Sequence, residues 1–417
     1  MRKVSSSTGS AAAVPADVSG RSGSSRGRYG TRLIAALAIT QTAGYGVLYY
    51  AFAVLLVPMS RDLHAGTGQI AGALTASVLS TALAAPWVGR LLDARGGRAP
   101  MTAGSVLGAA AVLAWSQVTT LIQLYAALLL VGLASALVLY EAAFTVVIAV
   151  CSPARRAKAL LAITIVAGFA SSVFFPLTGL LVAAFDWRTT LLILAAAYAA
   201  LAIPLHALIL PGRDHARERA DPSAAPRRSE PVRTAIRGRA FWLLAGAFLA
   251  QTGAVAVMAV LLVAYLIALG HAPVFAAGAA GLLGVLSVTG RLISTALSAR
   301  LPIALVTAAI FALQGAAALT LPIVGRSPAG AIGAVTLFGL GFGVATIARP
   351  ALLAERYGAG AYGSISGALA LPVMAAKAGA PLLAAVLLPV AGYGWVMGAV
   401  ALACVIAASA LVAYHRV

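Results

Sequence analysis

Four ionisable side chains stand inside otherwise apolar stretches of this sequence: Glu141, Arg291, Arg349 and Lys377. If those stretches lie in lipid, each charge costs at least about 2.5–3.5 kcal/mol and needs a partner or a function. An arginine grips a carboxylate through two parallel hydrogen bonds, whereas a lysine is a compact point charge. A glutamate can pair with a cation or carry a proton. Lys377, one of three lysines, has no acid on its own helical segment, and neither has Arg291. Two such cations are costly to bury unless an anionic ligand neutralises them. Plainer readings stand beside this one. Arg291 could snorkel to a nearby membrane surface, and Lys377 could pair with an acid from another helix. Tyr45 and Tyr49 are four residues apart, share a helix face and could give hydroxyl donors to a carboxylate. Their alternative place is the aromatic belt at the membrane interface.

Nothing else in the chain suggests reactive chemistry. The five histidines are scattered without HxxH or HExxH spacing, and Cys151 and Cys404 are far apart. Neither a disulfide framework nor a metal site follows. No enzyme, no metal and no cofactor is expected.

The elements that must position these charges are membrane helices. Of 417 residues, 62% are hydrophobic and 9% charged, against about 25% charged in ordinary soluble domains. A spanning helix needs about 20 apolar residues, because lipid cannot satisfy a bare backbone amide. Charge-poor stretches recur at 32–59, 69–89, 99–118, 121–150, 159–184, 189–210, 241–269, 275–298, 301–323, 329–354, 362–388 and 392–414. The sequence therefore predicts an all-α membrane protein with twelve transmembrane helices. A disordered cytoplasmic tail is expected over 1–31, one six-helix bundle over 32–210, a polar connection over 211–240 and a second bundle over 241–417. The first apolar block is too long for the core of a cleaved signal and reads as a retained helix.

The net charge of +19 describes orientation rather than a nucleic-acid partner. With the N-terminus in the cytoplasm, the inner loops hold Arg90, Arg95, Arg98, Arg155, Arg156, Lys158, Arg300 and Arg356, with eight arginines from Arg213 to Arg239. The outer loops hold only Arg61, Arg188 and Arg326. The reverse topology would violate the positive-inside rule at nearly every loop. Both termini are expected in the cytoplasm of a cell that carries this chain in its plasma membrane, with the lipid bilayer as its main partner and a monomer as the working unit.

The halves also repeat. Val78-Leu79-Ser80 matches Val285-Leu286-Ser287 at an offset of 207, and Trp187 matches Trp395 at 208. These two anchors support a duplicated six-helix unit with a substrate site between the copies.

Between the second and third helices, Gly89-Arg90-Leu91-Leu92-Asp93-Ala94-Arg95-Gly96-Gly97-Arg98 resembles the GxLxDxxGRR-type loop signature of the major facilitator superfamily. Gly89 would let two helices touch, Asp93 would meet a helix N-terminus or a basic partner, and Arg90, Arg95 and Arg98 would hold the loop in the cytoplasm. The resemblance covers the whole membrane region and implies transport by alternating access. An arginine in helix eight and a lysine in helix eleven look like the substrate-anion pair of the oxalate–formate antiporters, and monocarboxylate transporters also carry a helix-eight arginine. Here Ser287 stands where the latter usually place an aspartate, which loosens that match. The offset of 208 puts Arg349 opposite Glu141, on helices that approach each other at the cytoplasmic gate of this superfamily. The alternatives for this pair are a gating salt bridge, proton coupling through Glu141, and a static structural charge.

The resemblance thus implies a secondary active transporter of small organic anions, mono- or dicarboxylates, with protons as a further candidate partner. Its rival is a proton-coupled exporter of drugs or metabolites. Basic cavity residues argue against cationic drugs. Phe175, standing where the Gly-Pro motif of drug exporters has glycine, argues against that subfamily.

Overall fold

The structure, a computed structural model, describes residues 19–212 and 232–417. Among them twelve helices are long and apolar enough to cross a membrane: α1 Gly30–Asp62, α2 Gly68–Arg95, α3 Arg98–Ser116, α4 Leu121–Val150, α5 Pro153–Ala184, α6 Trp187–Ile209, α7 Arg239–Ala268, α8 Gly278–Leu297, α9 Ile303–Val324, α10 Pro328–Tyr357, α11 Tyr362–Leu388 and α12 Gly392–His415. No strand occurs among the described residues, apart from an isolated bridge between Gly96 and Gly212. The fold is the all-helical, twelve-span arrangement the sequence predicts.

Several boundaries move outward, because hydropathy marks a helix's apolar middle while backbone hydrogen bonding continues beyond it. The helix that becomes α1 already starts at Ser19, inside the stretch expected to be a disordered tail; residues 1–18 lie outside the described residues. α5 starts at Pro153, a helix-initiating position, and carries Arg155, Arg156 and Lys158 in its first turns. α2 continues through Arg95, so most of the motif read as a loop is the end of a helix. A short helix over Val232–Arg237 precedes α7, within the expected polar connection; residues 213–231 lie outside the described residues.

Helix breaks matter more for the site. α1 contains a π-helical turn over Gly46–Tyr50, α4 is interrupted at Leu139, and α10 unwinds over 341–344. Backbone groups freed at membrane depth need internal partners. Gln41 Nε2 donates to the Val138 carbonyl beside the α4 break at 2.6 Å. Gln314 Nε2 donates to the Phe338 carbonyl beside the α10 break at 3.0 Å.

The halves meet at one end of the bundle, the end bearing the Gly89–Arg98 motif. α2 packs on α11, α4 on α11, and the Pro153–Gly168 part of α5 on α8 and α10. The remaining part of α5, Ala170–Ala184, packs against α1 and α6 of its own half. One buried cluster runs through the first half into Phe248, Val344 and Ile365 of the second, while the rest of the second half keeps its own cluster around Tyr265 and Phe338. A methyl on Gly89 would overlap the Gly363 carbonyl, and one on Gly367 the Ala85 carbonyl. α2 and α11 therefore touch backbone to backbone, as small residues allow.

Candidate functional site: a cavity between the halves

A cavity of about 200 Å³ lies between the halves just inside this contact. α1 supplies Tyr45, α4 Tyr140 and Glu141, α7 Phe248 and Thr252, α10 Thr346 and Arg349, and α11 Ser366, Met374 and Lys377. Irregular backbone lines it, as expected for membrane-depth breaks: Tyr45 adjoins the π turn of α1, and Tyr140 and Glu141 follow the α4 break directly.

Glu141 and Arg349 form an ion pair, and the Ser366 hydroxyl donates to the other Glu141 oxygen at 2.7 Å. Both side chains are largely buried, at 16% and 14% exposure. Removing one partner of such a pair leaves an uncompensated charge and costs about 3–5 kcal/mol.

Lys377 lies on the cavity wall as an exposed side chain, not a buried one as its place in mid-helix suggests. Its Nζ stands 5.5 Å from the centre of the Tyr49 ring on α1, within the reach of a cation–π attraction. Among the described residues no carboxylate forms an ion pair with it.

Arg291 sits elsewhere. It is 8% exposed and does not line the cavity. Its Nε donates to the Gly343 carbonyl at 3.2 Å, in the unwound part of α10, and its Nη1 to the Thr164 carbonyl of α5 at 3.1 Å. A side chain at Gly343 would collide with the guanidinium, so the glycine makes room for it. In this conformation two carbonyls, one in each half, hold Arg291 at the interface, outside the lining but within electrostatic reach of the cavity tyrosines Tyr45 and Tyr140.

Sequence reasoning missed the aromatic neighbours. Tyr45 lies 4.6 Å from Tyr140, which stacks on Phe144 at 5.0 Å, and Tyr49 lies 5.3 Å from Tyr50. Tyr140 and Ser366 line the cavity, and Tyr50 packs against Tyr49 beside it. The position of Tyr140 beside a membrane-embedded glutamate was the available signal.

The motif closes the same end. Asp93 accepts from the Gly363 and Ser364 backbone N–H groups at 2.9 and 2.7 Å and from the Ser364 hydroxyl at 2.6 Å. Its carboxylate thus caps α11 across the half-to-half contact. Gly96 turns the chain at φ 73°, a left-handed conformation that glycine adopts freely. Gly97 is buried against Val146. Arg98 Nε donates to the Leu210 carbonyl at 2.8 Å, while Arg90 and Arg95 are exposed. At the opposite end, Arg188 pairs with Asp62 at 2.5 Å. Asp186 caps α6; hydrogen bonds from Thr189 and Arg188 hold its carboxyl below the usual carboxylate range.

No curated protein matches the chain in sequence. Solved structures share its fold. The human organic anion transporter TETRAN superposes with a TM-score of 0.66 at 18% identity, covering 93% of this chain and 99% of its own. A bacterial homologue of the iron transporter ferroportin, outward-facing with soaked iron, gives 0.73 at 15% identity over 93% and 99%. The E. coli fucose:proton symporter gives 0.69 at 16% over 91% and 98%. The family model described as Major Facilitator Superfamily matches residues 37–376. With that match over most of the chain, and with twelve spans closed around a cavity between two halves, the protein belongs to the major facilitator superfamily of membrane transporters.

Proposed function

We propose that the chain is a secondary active carrier of small organic anions, mono- or dicarboxylates, working by alternating access. The carrying observation is Lys377: a cation in the cavity, reaching across to Tyr49 of the other half and met there by an aromatic face instead of an acid. A carboxylate from the substrate would supply the missing counter-charge. Among the described residues no group of three or more His, Cys, Asp or Glu side chains could hold a metal ion. The organic anion cargo of the TETRAN structure agrees in charge with the proposal.

In this reading residues 32–210 and 241–417 rock against each other, linked by 211–240, in a plasma membrane with both termini cytoplasmic. The Asp93–Ser364 and Glu141–Arg349 contacts then close the cytoplasmic side, and the described conformation faces outward. Glu141 serves as gate and as proton carrier, since protonation would release Arg349. Arg291 holds the halves together in this state and joins Lys377 on the same carboxylate once the carbonyls of Thr164 and Gly343 separate. The test is uptake of radiolabelled mono- and dicarboxylates by vesicles containing the purified chain. Uptake that exceeds empty vesicles and is lost in Lys377→Gln is expected; absence of carboxylate uptake under every imposed ion gradient overturns the reading.

A further inference from the structure

The cavity carries information about the body of the substrate as well as its charge. Resting on the carboxylate reading above, we infer that the substrate is a monocarboxylate with a flat aromatic body, in preference to a dicarboxylate or a short aliphatic acid.

The charge count comes first. Of the cations near the cavity, Arg349 is neutralised by Glu141, and the Arg291 guanidinium donates to two carbonyls outside the lining. Lys377 is left as the one cation on the cavity lining without a carboxylate partner among the described residues. One such cation matches one carboxylate. In the described conformation a second carboxylate would find on the cavity lining only Arg349, already held, and would stand in the field of Glu141.

Volume and wall chemistry come next. About 200 Å³ corresponds to some six or seven waters at ~30 Å³ each, more room than a carboxylate with one or two carbons fills. The remaining space is faced by Tyr45, Tyr140, Phe144 and Phe248, with Val373 and Met374 beside Lys377, and serine and threonine side chains such as Thr252, Thr346 and Ser366 complete the lining. Water against such a wall is poorly hydrogen-bonded, and an apolar group displaces it favourably. Tyr45, Tyr140 and Phe144 already form a series of ring contacts at 4.6 and 5.0 Å. A further ring extends that series through the offset or edge contacts that aromatic pairs prefer, and the Met374 thioether is a suitable neighbour. The site thus has a cationic pole at Lys377 and an aromatic wall, the complement of an aromatic acid.

The experiment is equilibrium binding to the purified full-length chain in lipid nanodiscs by titration calorimetry, with five probes: benzoate, cyclohexanecarboxylate, acetate, terephthalate and benzyl alcohol. Benzoate is expected to bind at least tenfold more tightly than acetate or terephthalate and severalfold more tightly than cyclohexanecarboxylate, with benzyl alcohol silent. Tyr140→Leu and, independently, Phe248→Leu should erase the preference for benzoate over cyclohexanecarboxylate while keeping the need for a carboxylate. Acetate, terephthalate or cyclohexanecarboxylate binding as tightly as benzoate overturns this inference and leaves the anion carrier intact. Benzyl alcohol binding as well as benzoate, or silence from all four acids, overturns the carboxylate reading itself and this inference with it. A benzoate preference unchanged in both leucine variants also overturns the aromatic-wall assignment.

Discussion

Glu141 and Arg349 are paired across the two halves at a sequence separation of 208 residues, the interval that also relates Trp187 to Trp395. The ion pair therefore joins corresponding points of the duplicated unit, one on α4 and one on α10. Because the two helices are related by the repeat, either should tolerate the other's charge. Glu141→Gln and Arg349→Gln are each expected to reduce transport at least tenfold, by destabilising the closed state or by removing the proton carrier. The double exchange Glu141→Arg with Arg349→Glu should recover part of the activity. Vesicle uptake decides: full activity in Glu141→Gln removes both gate and coupling roles, and equal failure of the exchange removes pairing.

Asp93 acts nearer the start of α11. It accepts three hydrogen bonds at the start of α11, and bonds to an ionised acceptor are worth about 1.5–3 kcal/mol each. In Asp93→Asn the amide oxygen can keep part of this set, but the amide nitrogen opposes the remaining donors. Gly89→Ala should act similarly, because its methyl overlaps the Gly363 carbonyl. Both variants should open this end of the bundle. A cysteine at Thr145, buried against Gly363, should then react with thiol reagents at least tenfold faster than in the parent. Unchanged labelling in both would show that the motif does not latch the halves.

Orientation is testable without transport. Cysteines at Ser229 and at Gly66, in a background with Cys151 and Cys404 replaced by serine, should respond oppositely to a membrane-impermeant reagent on intact cells. Gly66 should be labelled and Ser229 protected. The reverse pattern overturns the cytoplasmic placement of the termini and the central connection.

Asp186 gives a pH dependence. Its carboxyl is held below the ordinary value of about 4 by Thr189 and Arg188, so the charged form is favoured in the folded chain. The stabilisation is present above the ordinary carboxylate value and is lost as pH falls through the lowered one. Thermal unfolding in detergent should show Asp186→Ala less stable than the parent at pH 7, with the gap narrowing below pH ~4. A gap that does not depend on pH would assign the effect to helix packing instead.

Much of the fold was legible because the bilayer imposes a length and an apolarity that leave long marks in sequence. The Glu141–Arg349 pair was legible through the repeat offset together with the family resemblance, which brings helices four and ten to one gate. The place of Arg291 was not: its partners are backbone carbonyls, which every residue possesses, and one is exposed only because α10 unwinds over 341–344. The π turn at Gly46–Tyr50 carries no proline to announce it, so the positions of Tyr45 and Tyr49 could be narrowed only to a shared face. Lys377 was legible as a costly charge, but its aromatic partner lies on the opposite half.

The sharpest prediction separates the two cations that sequence alone would treat alike. Arg291 makes two charge-assisted hydrogen bonds to carbonyls of α5 and α10, so Arg291→Gln should destabilise the described conformation by roughly 1.5–3 kcal/mol for each bond lost. Lys377 makes no ion pair among the described residues and its side chain is exposed, so little stability is lost with its charge; Lys377→Gln should hold the melting temperature in detergent. Substrate binding should divide the other way. Lys377→Gln should lose carboxylate-induced thermal stabilisation, since its charge faces the cavity, whereas Lys377→Arg should retain some binding with altered selectivity because a planar fork replaces a point charge. Arg291→Lys should keep the charge but serve the two divergent carbonyls poorly, so its transport should fall further than its binding. Thermal shift with and without carboxylate, read beside vesicle uptake, tests all four variants. Normal uptake in both glutamine variants would remove the cations from the transport cycle. A melting temperature lowered equally by Lys377→Gln and Arg291→Gln, with carboxylate binding intact in both, would make Lys377 a structural charge.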